Sequence, residues 1–134
     1  GGGEQFIATT GVKQKRVASE SVTSSDLCFE AAEKLIAELN WEKAEIDALV
    51  TQSPDYRTPA SSCILQDRLG LPQSCFTLDI SLGCSGWVYG LSVIASLMQS
   101  GGIRRGLLLA GDTVLKMVRL RIKAPIRCLV TLER

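Results

Sequence analysis

The chain has 134 residues, which is long enough for one domain with a hydrophobic core, and its composition of 46% hydrophobic and 22% charged residues is typical of a soluble globular protein. The formal net charge of +1 gives no electrostatic reason to expect a nucleic-acid partner. Five cysteines occur without a CxxC pair and without any histidine, which argues against a zinc site and a disulfide framework and favours a reducing cytoplasm.

The N-terminal part of the chain is predicted to be irregular up to its first helix. Residues 1–3 are glycines and are expected to be a frayed end, and residues 4–20 have little periodicity and are expected to form a connecting segment. A helix is predicted to begin near Ser24, in a Ser-Ser-Asp sequence that can cap its first turn. The apolar face of this helix is predicted from helical spacing to contain Leu27, Ala31, Leu35 and Leu39.

Strands and helices are predicted to alternate along the rest of the chain. Apolar runs bounded by turn residues predict strands at about 47–52, 75–80 and 106–111. Helical patterns follow the first two strands, over 61–69 and 86–99. This alternation predicts an α/β fold whose strands lie parallel in one sheet.

The stretch 80–103 has no charged residue, so a membrane span and a buried helix are both to be considered. Glycine and serine residues interrupt the apolar run repeatedly. We therefore expect a core helix that is buried against the sheet, and no membrane association.

Cys84 is the candidate nucleophile. It follows the predicted strand 75–80 and precedes the uncharged helix 86–99. In open α/β sheets the chemistry lies at the carboxyl ends of the strands, and a thiol at a helix N-terminus ionises more readily than a free thiol. A nucleophile that forms a thioester fits such a turn, but a small buried core cysteine fits the local pattern equally well.

The other cysteines are interpreted as structural. Cys28, Cys63 and Cys75 lie on or beside apolar faces of predicted elements and are expected in the core, whereas Cys128 lies in a divergent tail. If Cys84 lies at the start of a helix, we expect it to be alkylated faster than the three core cysteines.

A set of short motifs is spread along the chain in a characteristic order. They are TGVKQKR at 10–16, SSD at 24–26, PDYRTPA at 54–60, CILQ at 63–66, LG at 69–70, DISLGCSG at 79–86 and LAGDT at 109–113. In this order and spacing they resemble the β-ketoacyl-[acyl-carrier-protein] synthase III family, which has the thiolase fold. The resemblance covers roughly residues 4–118.

The resemblance implies a fold, a reaction and partners. It implies an α/β, thiolase-like chain that forms the N-terminal half of a duplicated fold, with a mainly parallel sheet and flanking helices. Cys84 matches the family's acyl-accepting cysteine, which takes an acyl group from acyl-coenzyme A for condensation with malonyl-acyl-carrier protein in fatty acid biosynthesis. It further implies a cytoplasmic homodimer, with a coenzyme A thioester as substrate rather than a bound cofactor.

The chain also departs from the family pattern. It has less than half of the family's length and no histidine, so the family's Cys-His-Asn set cannot be assembled within it. We therefore expect that this chain alone does not catalyse condensation. The alternatives are a non-catalytic fragment, or a transacylase of the same fold.

The tail 119–134 is basic and lacks features of the family. One choice of codons for it, read two bases later, encodes the Leu-Phe-Gly-Asp motif that comes next in the family. We therefore expect a partial thiolase-like domain over 1–118, followed by a non-family tail over 119–134 that results from a shift of reading frame.

Overall fold

Helices and strands alternate along the part of the chain that the structure describes. The computed structural model describes residues 2–11, 18–52, 55–113 and 130–133. The helices are α1 (Gly2–Thr10), α2 (Ser24–Glu38), α3 (Ser61–Leu69) and α4 (Gly86–Gln99), with a 3-10 turn at Lys43–Glu45. The strands are β1 (Ala48–Gln52), β2 (Phe76–Ile80), β3 (Arg105–Ala110) and β4 (Val130–Glu133).

The strands form one sheet in the order β2-β1-β3-β4. Central strand β1 pairs parallel with both neighbours, so that Ala48 lies between Phe76 and Gly106. These pairings confirm the three predicted parallel strands. Strand β4 pairs antiparallel with β3 and lies within the predicted tail, where the sequence pattern indicated no strand. The rest of the tail up to residue 129 lies outside the described residues.

Helices cover both faces of the sheet. Because successive strand residues point to opposite sides, neighbouring residues of one strand pack against different helices. Leu49 packs into a cluster with residues of α2 and α3, whereas Val50 packs into a second cluster with Ile94 and Met98 of α4. Both strand residues are fully buried. Burial on both faces explains why the inner strands β1 and β3 contain short continuous apolar runs, whereas no residue of the edge strand β2 is fully buried.

Helix α2 begins at Ser24, as predicted, but its cap lies one residue before the predicted Ser-Ser-Asp sequence. Thr23 is the N-cap, and it exchanges hydrogen bonds with Asp26 in a capping box. The predicted apolar face is wrong by one position: the helix buries Cys28, Ala32 and Ile36. The two adjacent rows of residues are both apolar at helical spacing, and only contact with the sheet selects one of them.

Helix α4 has the predicted bounds but is buried on one side only. Gly86, Gly90, Ile94 and Met98 face the sheet at every fourth position. This confirms the expected burial of the helix against the sheet, whereas Val88 on the opposite side is 64% exposed. Among the described helices, none is long and apolar enough to cross a membrane.

The N-terminal prediction of an irregular segment is wrong for its first part. Residues 2–10 form α1, which includes two of the glycines that were expected to fray. None of its residues is buried, and the hydroxyls of Thr9 and Thr10 donate to carbonyls one turn earlier in the helix. Gly11 ends it with φ 69°, and its N–H donates to the carbonyl of Ile7 at 2.8 Å.

Candidate active site

Cys84 lies in the five-residue turn 81–85 that connects β2 to α4. Its side chain is exposed, and Ser85 separates it from Gly86, the first residue of the helix. The turn is closed by the N–H of Gly86, which donates to the carbonyl of Gly83 at 2.9 Å. The structure therefore places Cys84 where the sequence predicts it, just past the carboxyl end of a parallel strand and before a helix.

The side chain of Gln52 holds this turn from the neighbouring strand. Its Nε2 donates to the carbonyl of Leu82 at 2.7 Å and to the carbonyl of Gly83 at 3.1 Å. A methyl group added at Gly86 would overlap the Cγ of Gln52. Glycine at position 86 thus allows the start of α4 to lie directly against the end of β1.

A second polar side chain, Asp79, connects β2 to the start of α3. Its two carboxylate oxygens accept the backbone N–H groups of Ser61 at 2.7 Å and Ser62 at 2.8 Å. The Thr51 hydroxyl of β1 donates to the same carboxylate at 2.7 Å. Helix α3 has no side-chain cap of its own at Ala60, so the strand supplies the cap.

These contacts decide the protonation of Asp79. Partial burial alone would raise the pKa of Asp79, but hydrogen bonds from Ser62, Thr51 and the backbone of Ser61 outweigh it and hold the pKa below the usual 3.8. The buried Ser62 hydroxyl makes no hydrogen bond of standard geometry, yet it lies close enough to contribute to this lowering. Asp79 is therefore ionised at neutral pH and acts as a fixed acceptor.

A small open pocket lies beside the turn, at the carboxyl end of β1. It is lined by Ser24, Ser25, Cys28, Thr51, Gln52, Asp55, Ser61 and Leu65. The Asp55 carboxylate accepts the N–H of Ser25 at 2.6 Å, so it already satisfies a free donor in the first turn of α2. Gln52 lines this pocket and also donates a hydrogen bond to the Cys84 turn, whereas Cys84 does not line the pocket.

The other cysteines divide into buried and exposed ones. Cys28 and Cys75 are buried, as predicted, and burial together with the nearby charge of Asp47 raises the pKa of Cys75 to about 11. The prediction that Cys63 is a core residue is wrong, because α3 turns Leu65 towards the sheet and leaves Cys63 exposed. Cys128 lies outside the described residues.

Sequence reasoning identified Cys84 but not the polar residues that organise its surroundings. Gln52, Asp55 and Asp79 lie at or just after the ends of strands β1 and β2. This position was the available signal, since the carboxyl ends of parallel strands meet at one edge of a sheet.

The family model and the curated relatives that match this chain point to one family. The family model described as 3-oxoacyl-[acyl-carrier-protein (ACP)] synthase III matches residues 78–123, which include Cys84 and extend past the predicted boundary at 118. The curated β-ketoacyl-[acyl-carrier-protein] synthase III of Caldanaerobacter subterraneus subsp. tengcongensis is 33% identical over 118 residues, which are 86% of this chain and 35% of that protein.

Solved structures give the same result for the fold. A 3-oxoacyl-(acyl-carrier protein) synthase from Burkholderia xenovorans LB400 is 43% identical with a TM-score of 0.77, over 86% of this chain and 34% of that one. The 3-oxoacyl-[acyl-carrier-protein] synthase III from Aquifex aeolicus VF5 is 27% identical with a TM-score of 0.83, over 97% of this chain and 44% of that one. The fold is thiolase-like, and the chain spans about a third of the length of the curated relatives it matches.

Proposed function

This chain belongs to the β-ketoacyl-[acyl-carrier-protein] synthase III family of fatty acid biosynthesis, and we propose that Cys84 is the acyl-accepting nucleophile of the family's reaction. The single observation that supports this role is the position of Cys84. Its thiol is exposed at the carboxyl edge of the parallel sheet, in the turn that leads into α4. Reactive groups of open α/β sheets are found at this edge.

The proposed reaction has two steps. In the first, the Cys84 thiolate attacks the carbonyl carbon of an acyl-coenzyme A, the bond from that carbon to the coenzyme A sulfur breaks, and coenzyme A leaves as a thiol after taking up a proton. In the second, malonyl-acyl-carrier protein loses carbon dioxide. The resulting carbanion attacks the acyl carbon, which releases the Cys84 thiolate and forms a β-ketoacyl-acyl-carrier protein.

We expect only the first step from these 134 residues. The second step needs groups that stabilise an enolate, and the resemblance assigns these to a histidine and an asparagine. The chain contains no histidine, and it spans about a third of the length of its relatives. Slow acylation needs only the thiolate and access for the thioester, and the exposed Cys84 side chain provides that access.

We further propose that a second copy of the chain packs along β2. This strand is at the edge of the described sheet, and its first residue, Phe76, is 42% exposed. Two apolar side chains of α4 are also exposed, Val88 at 64% and Tyr89 at 57%. Unpaired strand edges and apolar patches favour association. Acyl-carrier protein is the expected second partner, and the cytoplasm the expected compartment.

A condensation assay tests the proposed reaction. The reactants are an acyl-coenzyme A and malonyl-acyl-carrier protein, and the product is followed by mass spectrometry. The 134-residue chain is compared with a chimaera in which residues 1–117 are joined to the part of the Caldanaerobacter relative that follows the matched region. We expect no β-ketoacyl product from the chain alone, product from the chimaera, and none from the chimaera with Cys84→Ser.

Two results would change the assignment. A folded chimaera that takes up an acyl group at Cys84 but never condenses it would identify a transacylase of the same fold. A Cys84→Ser chimaera with undiminished product formation would show that the nucleophile lies elsewhere.

A further inference from the structure

Gln52 connects the central strand of the sheet to the turn that carries the candidate nucleophile. It is the last residue of β1, and its Nε2 donates to the carbonyls of Leu82 at 2.7 Å and Gly83 at 3.1 Å. These two residues directly precede Cys84. The side chain therefore fixes the backbone on the N-terminal side of the nucleophile, across a separation of 30 positions in sequence.

The same side chain also contacts the residue that begins α4, on the C-terminal side of Cys84. The Cγ of Gln52 lies so close to Gly86 that a methyl group there would overlap it. The Gly83 carbonyl, which accepts from Gln52, also accepts the N–H of Gly86 at 2.9 Å. Gln52 and Gly86 thus form one interlocked unit, and Cys84 lies on the loop between its two attachment points.

We propose that Gln52 is a positioning residue for Cys84, which sets the placement of the thiol relative to the start of α4 without contacting the substrate. This inference rests on the proposed function of Cys84 as the acyl acceptor. A displacement of about 1 Å at a reacting group can lower a rate by about 100-fold. A side chain that fixes the backbone on both sides of a nucleophile therefore has a direct effect on the acylation rate.

The chain contains a matched control for this side chain. The Nε2 of Gln66 donates to the backbone carbonyls of Pro72 at 2.8 Å and Cys75 at 3.4 Å. This is the same type of contact, from a glutamine to two carbonyls of a neighbouring loop. It lies at the amino end of β2, whereas Cys84 lies beyond the carboxyl end. Replacement of Gln66 removes equivalent hydrogen bonds without affecting the Cys84 turn.

The main test compares Gln52→Met with Gln66→Met in the 134-residue chain. Methionine keeps the length of the side chain and removes its N–H donors. Acylation of Cys84 by acetyl-coenzyme A is measured in single turnovers over a range of thioester concentrations, with the modified peptide quantified by mass spectrometry. We expect Gln52→Met to lower the limiting rate constant by about 10- to 100-fold with an unchanged half-saturating concentration. Gln66→Met should keep the wild-type rate constant.

A second pair of variants tests the contact between Gln52 and Gly86. These variants replace the main test if Gln52→Met does not fold. Gly86→Ala should displace Gln52 and lower the acylation rate by a similar factor. In the double variant with Gln52→Ala, the overlapping Cγ is gone, so the loss should be no larger than that of either single change. Melting temperatures of all variants show which of them are folded.

The outcomes separate this inference from the proposed function. If wild-type Cys84 is acylated, a wild-type limiting rate in Gln52→Met, or strictly additive losses in the Gly86 series, overturns the positioning role. If wild-type Cys84 takes up no acyl group, the proposed function fails. Iodoacetamide labelling then tests the positioning role of Gln52. An unchanged ratio of Cys84 labelling to Cys63 labelling in Gln52→Met overturns this role, and a lowered ratio supports it.

Discussion

The carboxylate of Asp79 joins three elements at the edge of the sheet where Cys84 lies. It extends from β2, accepts two N–H groups of α3 and accepts the Thr51 hydroxyl of β1. A charged acceptor at a helix N-terminus stabilises both the free donors and the helix dipole. The strand that leads to Cys84 is thereby tied to its neighbours through one side chain.

Replacement of Asp79 by Asn tests this connection. Asparagine keeps the shape but presents an NH₂ donor where the carboxylate accepts, so at least one buried donor loses its partner. We expect Asp79→Asn to lower the free energy of unfolding by about 1–3 kcal/mol, measured by urea denaturation. Asp67→Asn, at an exposed position near the end of α3, is the matched control and should change stability by less than about 0.5 kcal/mol.

The lowered pKa of Asp79 also predicts how stability depends on pH. Because the folded-state pKa lies below the unfolded-state value of about 3.9, the stabilising contribution is complete above that value and is lost as the pH falls through the folded-state pKa. We expect the difference in unfolding free energy between wild type and Asp79→Asn to shrink below about pH 4. Urea titrations at several pH values measure this difference. A difference that stays constant below pH 4 would contradict the stabilising role of the ionised Asp79 carboxylate.

Asp26 contributes to the same acid dependence. Hydrogen bonds from the Thr23 backbone and hydroxyl lower the pKa of Asp26, with a further contribution from Arg68. Asp79→Asn therefore removes part of the acid sensitivity and leaves the part that comes from the cap of α2.

At the scale of elements, the packing of α4 on the sheet depends on close contact at Gly90. A methyl group added there would come within 2.5 Å of the Leu108 Cδ1 on β3. Gly90 is buried on the sheet side, whereas Ala95 lies on the exposed side of the same helix. The two positions allow the face of α4 to be tested with the same introduced side chain.

Leucine is expected to destabilise the protein at position 90 but not at position 95. Gly90→Leu should lower the free energy of unfolding by about 1–3 kcal/mol, because the added side chain overpacks the contact between α4 and β3. Ala95→Leu should change it by less than about 0.5 kcal/mol. Equal changes in unfolding free energy for the two variants, measured by urea denaturation, would mean that α4 does not pack on the sheet through the face that contains Gly90.

The alternation of elements could be predicted from the sequence because apolar runs such as 107–110 have few other interpretations. The buried face of α2 could not be predicted, since two adjacent rows of its residues are apolar and only packing against the sheet decides which row is buried. Cys63 was misplaced for the same reason, because a short helix with a weak apolar pattern does not reveal which side is buried. The hydrogen bond from Gln52 to the turn before Cys84 was not predictable, since it joins residues 30 positions apart.

At the scale of the whole molecule, the proposed copy-to-copy contact along β2 predicts self-association. Sedimentation velocity at micromolar concentration should show a dimer or a larger species, since Phe76, Val88 and Tyr89 expose apolar surface among the described residues. Val88→Lys places a charge on this surface and should shift the equilibrium towards monomer. A wild-type chain that sediments as a monomer refutes the proposed dimer.

The proposed shift of reading frame stays a prediction about the gene. The family match continues to residue 123, and β4 lies within the basic tail. DNA sequence around codons 114–120 tests the prediction. A frame that restores the Phe-Gly-Asp motif after an insertion or deletion is the expected result, and an uninterrupted frame confirmed in independent isolates would contradict it.

The most direct test of the central claim is to locate the acyl group. The 134-residue chain is incubated with an acyl-coenzyme A, digested and mapped by mass spectrometry, with Cys84→Ser and Cys63→Ser as paired variants because both cysteines are exposed. We predict the acyl mass on the peptide that contains Cys84, unchanged uptake in Cys63→Ser and none in Cys84→Ser. Acyl uptake that follows Cys63 instead, or that persists undiminished in Cys84→Ser, would contradict the assignment of Cys84 as the acyl acceptor.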